Sequence, residues 1–363
     1  MALSIGIIGL PNVGKSTLFN ALTGDEVEIS NYPFCTVAPN VGTVEIPDQR
    51  LEQLSKVIQP ESTTPTSIHF VDIAGLVRDA NQGAGLGNQF LAHIRDVDAL
   101  VHVVRCFNDA QISHVDGEID PWRDIETIET ELLLADLTVM EKAVPHLDKV
   151  VRSEPRSTRT HELAACAKVL EGLQHGTSAA MVELTMEEKD ALTPHRLLTA
   201  KPVLYAANVG EAETDAPGPW VDQLVERYGA DQVLVVSAQF EAEMAGLSQE
   251  ERAEFIRELG LEHGGIERLV QAGYKLLDLI TFYTLANSKL QAWQLPRGEK
   301  APRAAGRIHT DMEKGFIRAE LAACDQLIAM GGWAPLKAAG QLRSEGRDYV
   351  VADGDVITFL FKV

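Results

Sequence analysis

Gly9-Leu-Pro-Asn-Val-Gly-Lys-Ser16, followed by Thr17, reads G-x-x-x-x-G-K-S, and its surroundings decide the fold. Leu3-Ser-Ile-Gly-Ile-Ile8 before it is a short apolar run with β-branched residues, which predicts a buried first strand. Thr17-Leu-Phe-Asn-Ala-Leu-Thr23 after it predicts a helix, with Gly24 as its stop. Strand, glycine-rich loop and helix start together make a phosphate-binding loop. Gly9 and Gly14 let successive N–H groups turn inward onto phosphate oxygens, and the helix start adds its partial positive charge. Lys15 is expected to reach the β- and γ-phosphates and the Ser16 hydroxyl to ligate Mg²⁺. The chain is therefore expected to bind a nucleoside triphosphate.

Outward from this loop, Ile68-His-Phe-Val-Asp-Ile73 and Ala99-Leu-Val-His-Val-Val104 read as further buried strands of an α/β domain. Asp72-x-x-Gly75 closes the first of them, where an aspartate holds Mg²⁺ through water and a glycine N–H meets the γ-phosphate. Thr36, in Asn31-Tyr-Pro-Phe-Cys-Thr36, is a natural second Mg²⁺ ligand. Spaced this way, the set describes a Ras-like switch NTPase.

Base recognition departs from the GTPase pattern Asn-Lys-x-Asp. The corresponding strand end is Asn208-Val-Gly-Glu211: Val209 replaces the lysine, and Glu211 is too long to meet guanine's paired donors. Ser237-Ala238 stands where a Ser-Ala-Lys loop would, with Gln239 in place of lysine. Adenine has no such donors to satisfy, so ATP is expected over GTP. Leu76 occupies the position of the water-orienting glutamine, so intrinsic hydrolysis is expected to be slow. His114 could orient the water instead, and Asn12 could help hold a monovalent cation, K⁺, near the phosphates.

From Asp124 the pattern turns helical. Ile125, Ile128, Leu132, Ala135 and Val139 make one apolar track, and Leu133, Leu137, Met140, Val144, Leu147 and Val151 an adjacent one. Leu163, Cys166, Val169, Leu170 and Leu173 predict a returning helix, and so a hairpin or short coiled coil inserted in the α/β pattern. That pattern resumes at Lys201-Pro-Val-Leu-Tyr-Ala-Ala-Asn208 and Asp231-Gln-Val-Leu-Val-Val-Ser-Ala238. Phe255 to Leu285 reads as further helix. After Gly298 a small α+β module ends in Val356-Ile-Thr-Phe-Leu-Phe361.

At 363 residues the chain is expected to hold two or three domains. It shows no membrane-length apolar run and no signal peptide, so a cytoplasmic protein is expected. Cys35, Cys106, Cys166 and Cys324 lack metal-ligand spacing and read as structural thiols. The net charge of −21 argues against broad nucleic-acid binding. Residues 281–363, with 11 Lys/Arg and 9 Asp/Glu, are slightly basic, which leaves room for a local RNA contact.

Beyond these readings, several stretches together resemble the YchF-type ATPases of the Obg-like family, in the P-loop TRAFAC class. They are the phosphate loop with its helix, Asn31 to Thr36, Val71-Asp-Ile-Ala-Gly-Leu-Val77, Gly85-Leu-Gly-Asn-Gln-Phe-Leu91 and His102-Val-Val-Arg-Cys-Phe107. Two more lie near the end, Ala305-Gly-Arg-Ile-His-Thr-Asp-Met-Glu-Lys-Gly-Phe-Ile-Arg-Ala319 and Asp348 to Phe361. The likeness runs end to end. It implies a Ras-like P-loop domain over 1–121 and 201–279, a helical coiled-coil insertion over 122–200, and an α+β, ubiquitin-like TGS domain over 280–363. It also implies an ATPase that prefers ATP, hydrolyses it without the usual glutamine and binds the ribosome, its proteins and rRNA; a free monomer with neither DNA nor membrane as partner is expected. Roles carry over to Asn12, Val13, Gly14, Lys15, Ser16 and Thr17 for phosphate, Ser16 and Thr36 for Mg²⁺, and Asn208 to Glu211 for the base, with Val209 beside adenine. His114 falls in the family's His-Val loop. Residues 176–196 and 211–219 match no motif of the family. An ATP-gated adaptor without turnover, of the kind used in stress responses, and a ribosome-binding switch GTPase are the competing readings. A metabolic kinase is more distant, since no acceptor site is recognisable.

Overall fold

The computed structural model describes residues 3–24, 40–73, 86–115, 117–153, 159–214, 216–258 and 263–362. Thr36, Gly75 and Leu76 lie outside them. The chain divides into two compact units, Met1–Thr43 with His69–Gly273, and Val44–Ile68 with Tyr274–Val363.

The first unit is built on a six-stranded sheet of β1 (Ser4–Ile8), β2 (Asn40–Glu45), β4 (Ser67–Asp72), β5 (Ala99–Arg105), β6 (Val203–Asn208) and β7 (Val233–Val236). Their order is β2-β4-β1-β5-β6-β7, and the ladders β4-β1, β1-β5, β5-β6 and β6-β7 are all parallel. Every residue of β1 and β5 is buried, as expected of parallel strands covered on both faces. Parallel strands in this order bring the carboxyl ends of β1, β4, β6 and β7 to one edge, where α/β sheets bind ligands.

The helical segment is a hairpin. Its first helix, Pro121–Ser153, is 33 residues long and buries Ile125, Ile128 and Leu132 near its start, then Met140 and Leu147 farther along. The second, Thr160–Gln174, returns Ala165, Cys166, Val169 and Leu173 to the same core as Met140 and Leu147. Asp136, fully buried, ties the hairpin to the chain entering β6 by accepting from Leu198 N, Thr199 N and Thr199 Oγ1 at 2.8–2.9 Å. Within the stretch that matches no family motif, a capping box of Thr185 and Glu188 opens the short helix Met186–Leu192.

In the second unit, β3 (Ser62–Thr64), β8 (Leu279–Ala286), β9 (Lys289–Pro296), β10 (Phe316–Ala323), β11 (Arg343–Glu345) and β12 (Asp355–Phe361) form a mixed sheet in the order β11-β10-β12-β8-β9-β3. Two findings differ from the sequence reading. The helix expected to run to Leu285 stops earlier, at Leu276, and 279–286 is strand. The run Ile280-Thr-Phe-Tyr-Thr284 is buried on both faces, Ile280 and Phe282 in one core and Tyr283 in the other, and such a run carries no alternation to reveal a strand. In addition, Val44–Ile68, read as part of the nucleotide-binding domain, clusters with the C-terminal residues. Leu51 and Leu54 of the helix Gln49–Ile58 share a core with Tyr283, Leu290, Leu327 and Val356, β3 pairs with β9, and Tyr283 Oη donates to Asp48 Oδ2 at 2.6 Å.

No helix among the described residues is long and apolar enough to cross a membrane. Cys106, Cys166 and Cys324 are buried free thiols, and burial pushes them up to about 12, 11 and 11.

Candidate functional site

The loop after β1 is shaped by its backbone. Gly9 has φ 151°, Asn12 φ 62° and Gly14 φ 100°, so the chain turns sharply before the helix Lys15–Thr23. A Cβ on Gly9 would lie 2.6 Å from Val103 O, and one on Gly14 would collide with the Asn208 amide. Glycine is required at both places by strain and by close approach. The helix opens without a capping side chain, and its first-turn Ser16 is exposed. An uncapped helix start with an accessible hydroxyl suits an anion and its counter-ion.

Lys15 is buried, with Nζ donating to Leu10 O at 2.6 Å. Burial lowers its pKa to about 8, against the opposing pull of Asp72. An ammonium with one of its three donors spoken for keeps two for other acceptors. Asp72, at the end of β4, is raised by burial and lowered by the Lys15 charge and a hydrogen bond from Asn40. Its Oδ1 is buried with no hydrogen-bond partner among the described residues. An orphaned carboxylate oxygen and an exposed first-turn hydroxyl are the oxygen donors that suit a hydrated divalent cation. Among the described residues no group of three His, Cys, Asp or Glu side chains could hold a metal by itself.

Asn208, at the end of β6, is a clamp. Its Nδ2 donates to Val13 O at 2.8 Å and its Oδ1 accepts from Ala238 N at 2.9 Å, joining the phosphate loop to the turn after β7. Ser237 caps the helix Ala238–Ala245 through Phe240 N. Glu211 is exposed at the start of a short 3₁₀ turn, where its carboxylate is open to solvent. Val209 is the residue the sequence sets beside adenine. The residue is 3% exposed and packs in a core with Cys106, Ile125 and Val221, on the face that Tyr205 and Ala207 of β6 share with it.

Two residues given no role in the sequence reading, Arg105 and Asp124, hold the loop that follows β5. Arg105, the last residue of β5 and 1% exposed, donates from Nε to Phe107 O and from Nη2 to Asp109 O and Ile112 O at 3.0–3.3 Å. Asn12 Nδ2 donates to Ser113 O at 3.2 Å, so the phosphate loop meets this one. Here Asn12 makes a polar link between loops, whereas the sequence suggested a cation or phosphate as its partner. His114, expected to face a water, has a side chain 2% exposed, with Nε2 2.9 Å from Asp124 Oδ2 on the first turn of the long helix. The one sequence signal for Arg105 is its charge at the end of an otherwise apolar strand; Asp124 gave none.

A family model described as a 50S ribosome-binding GTPase matches residues 4–136, and the YchF-GTPase C-terminal model, described as a protein of unknown function, matches 279–362. The chain is 47% identical over 367 residues to the ribosome-binding ATPase YchF of Bacillus subtilis, with all of both chains covered. To that of Escherichia coli O157:H7 it is 48% identical over 365 residues, again with full coverage. The solved YchF GTPase of Schizosaccharomyces pombe matches with a TM-score of 0.85 at 34% identity, over 99% of this chain and 97% of that one.

Proposed function

This chain belongs to the YchF family, and we propose that it is a ribosome-associated regulatory ATPase that binds ATP in preference to GTP and hydrolyses it slowly. The observation that carries this reading is the convergence at one sheet edge of the phosphate loop, the orphaned Asp72 oxygen and the Asn208 clamp, with exposed Glu211 where guanine readers use aspartate.

In this reading the backbone from Asn12 to Thr17 and the Lys15 ammonium cradle the phosphates, and Gly75 N–H meets the γ-phosphate. Ser16 and Thr36 would hold Mg²⁺, with Asp72 reaching it through water; when bound, Mg²⁺ neutralises charge on the β- and γ-oxygens. Asn12 would face K⁺. Glu211 and the turn at Ser237 and Ala238 would border the base, and His114 would orient the hydrolytic water once its ring leaves Asp124. Ordering of the segments at Thr36 and Asp72 by ATP would gate ribosome binding, with the helical insertion and the C-terminal TGS domain meeting ribosomal protein and rRNA. The protein would act as a cytoplasmic monomer.

The test is a paired titration with fluorescent ATP and GTP analogues in Mg²⁺. ATP is expected to bind at least about tenfold tighter, and Glu211→Asp to move the ratio toward GTP. Val209→Lys would drive an ammonium into the core beside Ile125 and is expected to destabilise the fold, so it does not report on the base. Equal or tighter GTP binding overturns the preference and favours a switch GTPase, the activity by which the Schizosaccharomyces pombe relative is described. Ribosomes are expected to raise the turnover; near-zero turnover with and without them supports the adaptor reading, for which Leu76 is the reason.

A further inference from the structure

We propose that Arg105 is the positioning residue of the loop that carries His114, and that ATP turnover depends on its guanidinium geometry. This rests on the reading of His114 as the group that orients water.

β5 is buried along its whole length and ends in a cation, Arg105, which is 1% exposed. A buried charge is costly unless something on the inside repays it. Among the described residues no carboxylate pairs with Arg105, and its Nη1 has no hydrogen-bond partner. What repays the charge is the loop itself. Three carbonyls spread along it, those of Phe107, Asp109 and Ile112, turn inward onto one planar fork at 3.0–3.3 Å. The Phe107 ring covers the guanidinium with its centroid 4.7 Å from Cζ. The next carbonyl, Ser113 O, is taken by Asn12 of the phosphate loop, and the next side chain is His114. Arg105 and the phosphate loop thus hold two consecutive carbonyls just before the histidine. Among its described residues the loop after Cys106 has no strand or helix of its own before His114, so this grip sets where His114 begins.

A lysine cannot replace it. Its compact ammonium on a flexible stem keeps the charge but cannot meet three carbonyls in one plane. In the full-length protein, Arg105→Lys is therefore expected to lower single-turnover ATP hydrolysis at least about tenfold, since small displacements of a reacting group cost that much. The dissociation constant for a fluorescent ATP analogue is expected to stay within about twofold. Amide exchange over 107–114 is expected to rise while β6 keeps its protection. Crossed with His114→Ala, Arg105→Lys is expected to cause no further loss, because both act on one step. A merely structural role would give losses that add. Wild-type turnover in Arg105→Lys, additive losses, or unchanged exchange over 107–114 each overturn the proposal. If His114→Ala turns over like wild type, the reading of His114 falls on its own account. Turnover and loop exchange of Arg105→Lys then still judge Arg105, with Arg105→Gln as the second variant.

Discussion

Replacing Asn208 by alanine tests whether one amide holds the phosphate loop to the neighbouring turn. The side chain is 4% exposed and spends both polar atoms on buried backbone, Val13 O at 2.8 Å and Ala238 N at 2.9 Å. Val13 and Ala238 are themselves 1% and 2% exposed, so water is poorly placed to replace the amide. Alanine leaves a carbonyl and an N–H unpaired, each at about 1–3 kcal/mol, so a loss of about 3 kcal/mol is expected. For a body of this size that lowers the thermal midpoint by roughly 6–12 °C. Asn208→Asp is expected to do no better, since it keeps the acceptor for Ala238 N but turns a carboxylate toward Val13 O. Thermal unfolding without nucleotide, followed by far-UV circular dichroism, reads the effect directly. Nucleotide titration of the folded variants then reports separately on the loop. Midpoints within about 2 °C of wild type in both variants would refute the clamp.

Two further outcomes follow from buried groups elsewhere. His102, in the middle of β5, is held near pKa 3 by burial, with the Lys15 charge adding to the shift, against 6.5 for an unperturbed imidazole. The unfolded chain therefore binds the extra proton between those values. The stabilising effect is complete above about pH 6.5 and is lost as pH falls, by about 1.4 kcal/mol per unit. His102→Gln should show roughly 2 kcal/mol less loss between pH 6.5 and 5 in urea titrations, and an unchanged slope would contradict the assignment. Leu54→Ala, at a fully buried position in the core of Tyr283 and Val356, should cost about 2–5 kcal/mol and reduce hydrogen-exchange protection in β10 and β12. Loss of protection confined to β5 and β6 would argue against grouping Val44–Ile68 with the C-terminal residues.

Much of the site was legible because its parts are short and local. The glycines of the loop, the lysine and the hydroxyl that follows it lie within eight consecutive residues, and their spacing can be read without knowing where the rest of the chain goes. The parallel strands were equally legible where polar punctuation bounds an apolar run, as at Asp72 and Asn208. The reading failed where two environments share one pattern. The stretch up to Leu285 reads as helix because both faces of the run are apolar, and nothing in it marks the strand that begins at Leu279.

From the chain alone came the phosphate loop, the helical insertion and the odd residues of the base motif, since each depends on neighbours a few positions away. Tertiary structure alone decided that Asn208 and Val13, 195 residues apart, share a hydrogen bond. It also decided that Arg105 is the peg of a loop, that His114 rests against Asp124, and that Val44–Ile68 packs with the C-terminal residues. Such contacts follow from the order in which strands pair and from which carbonyls a buried charge can reach, and neither is written in any local run of residues.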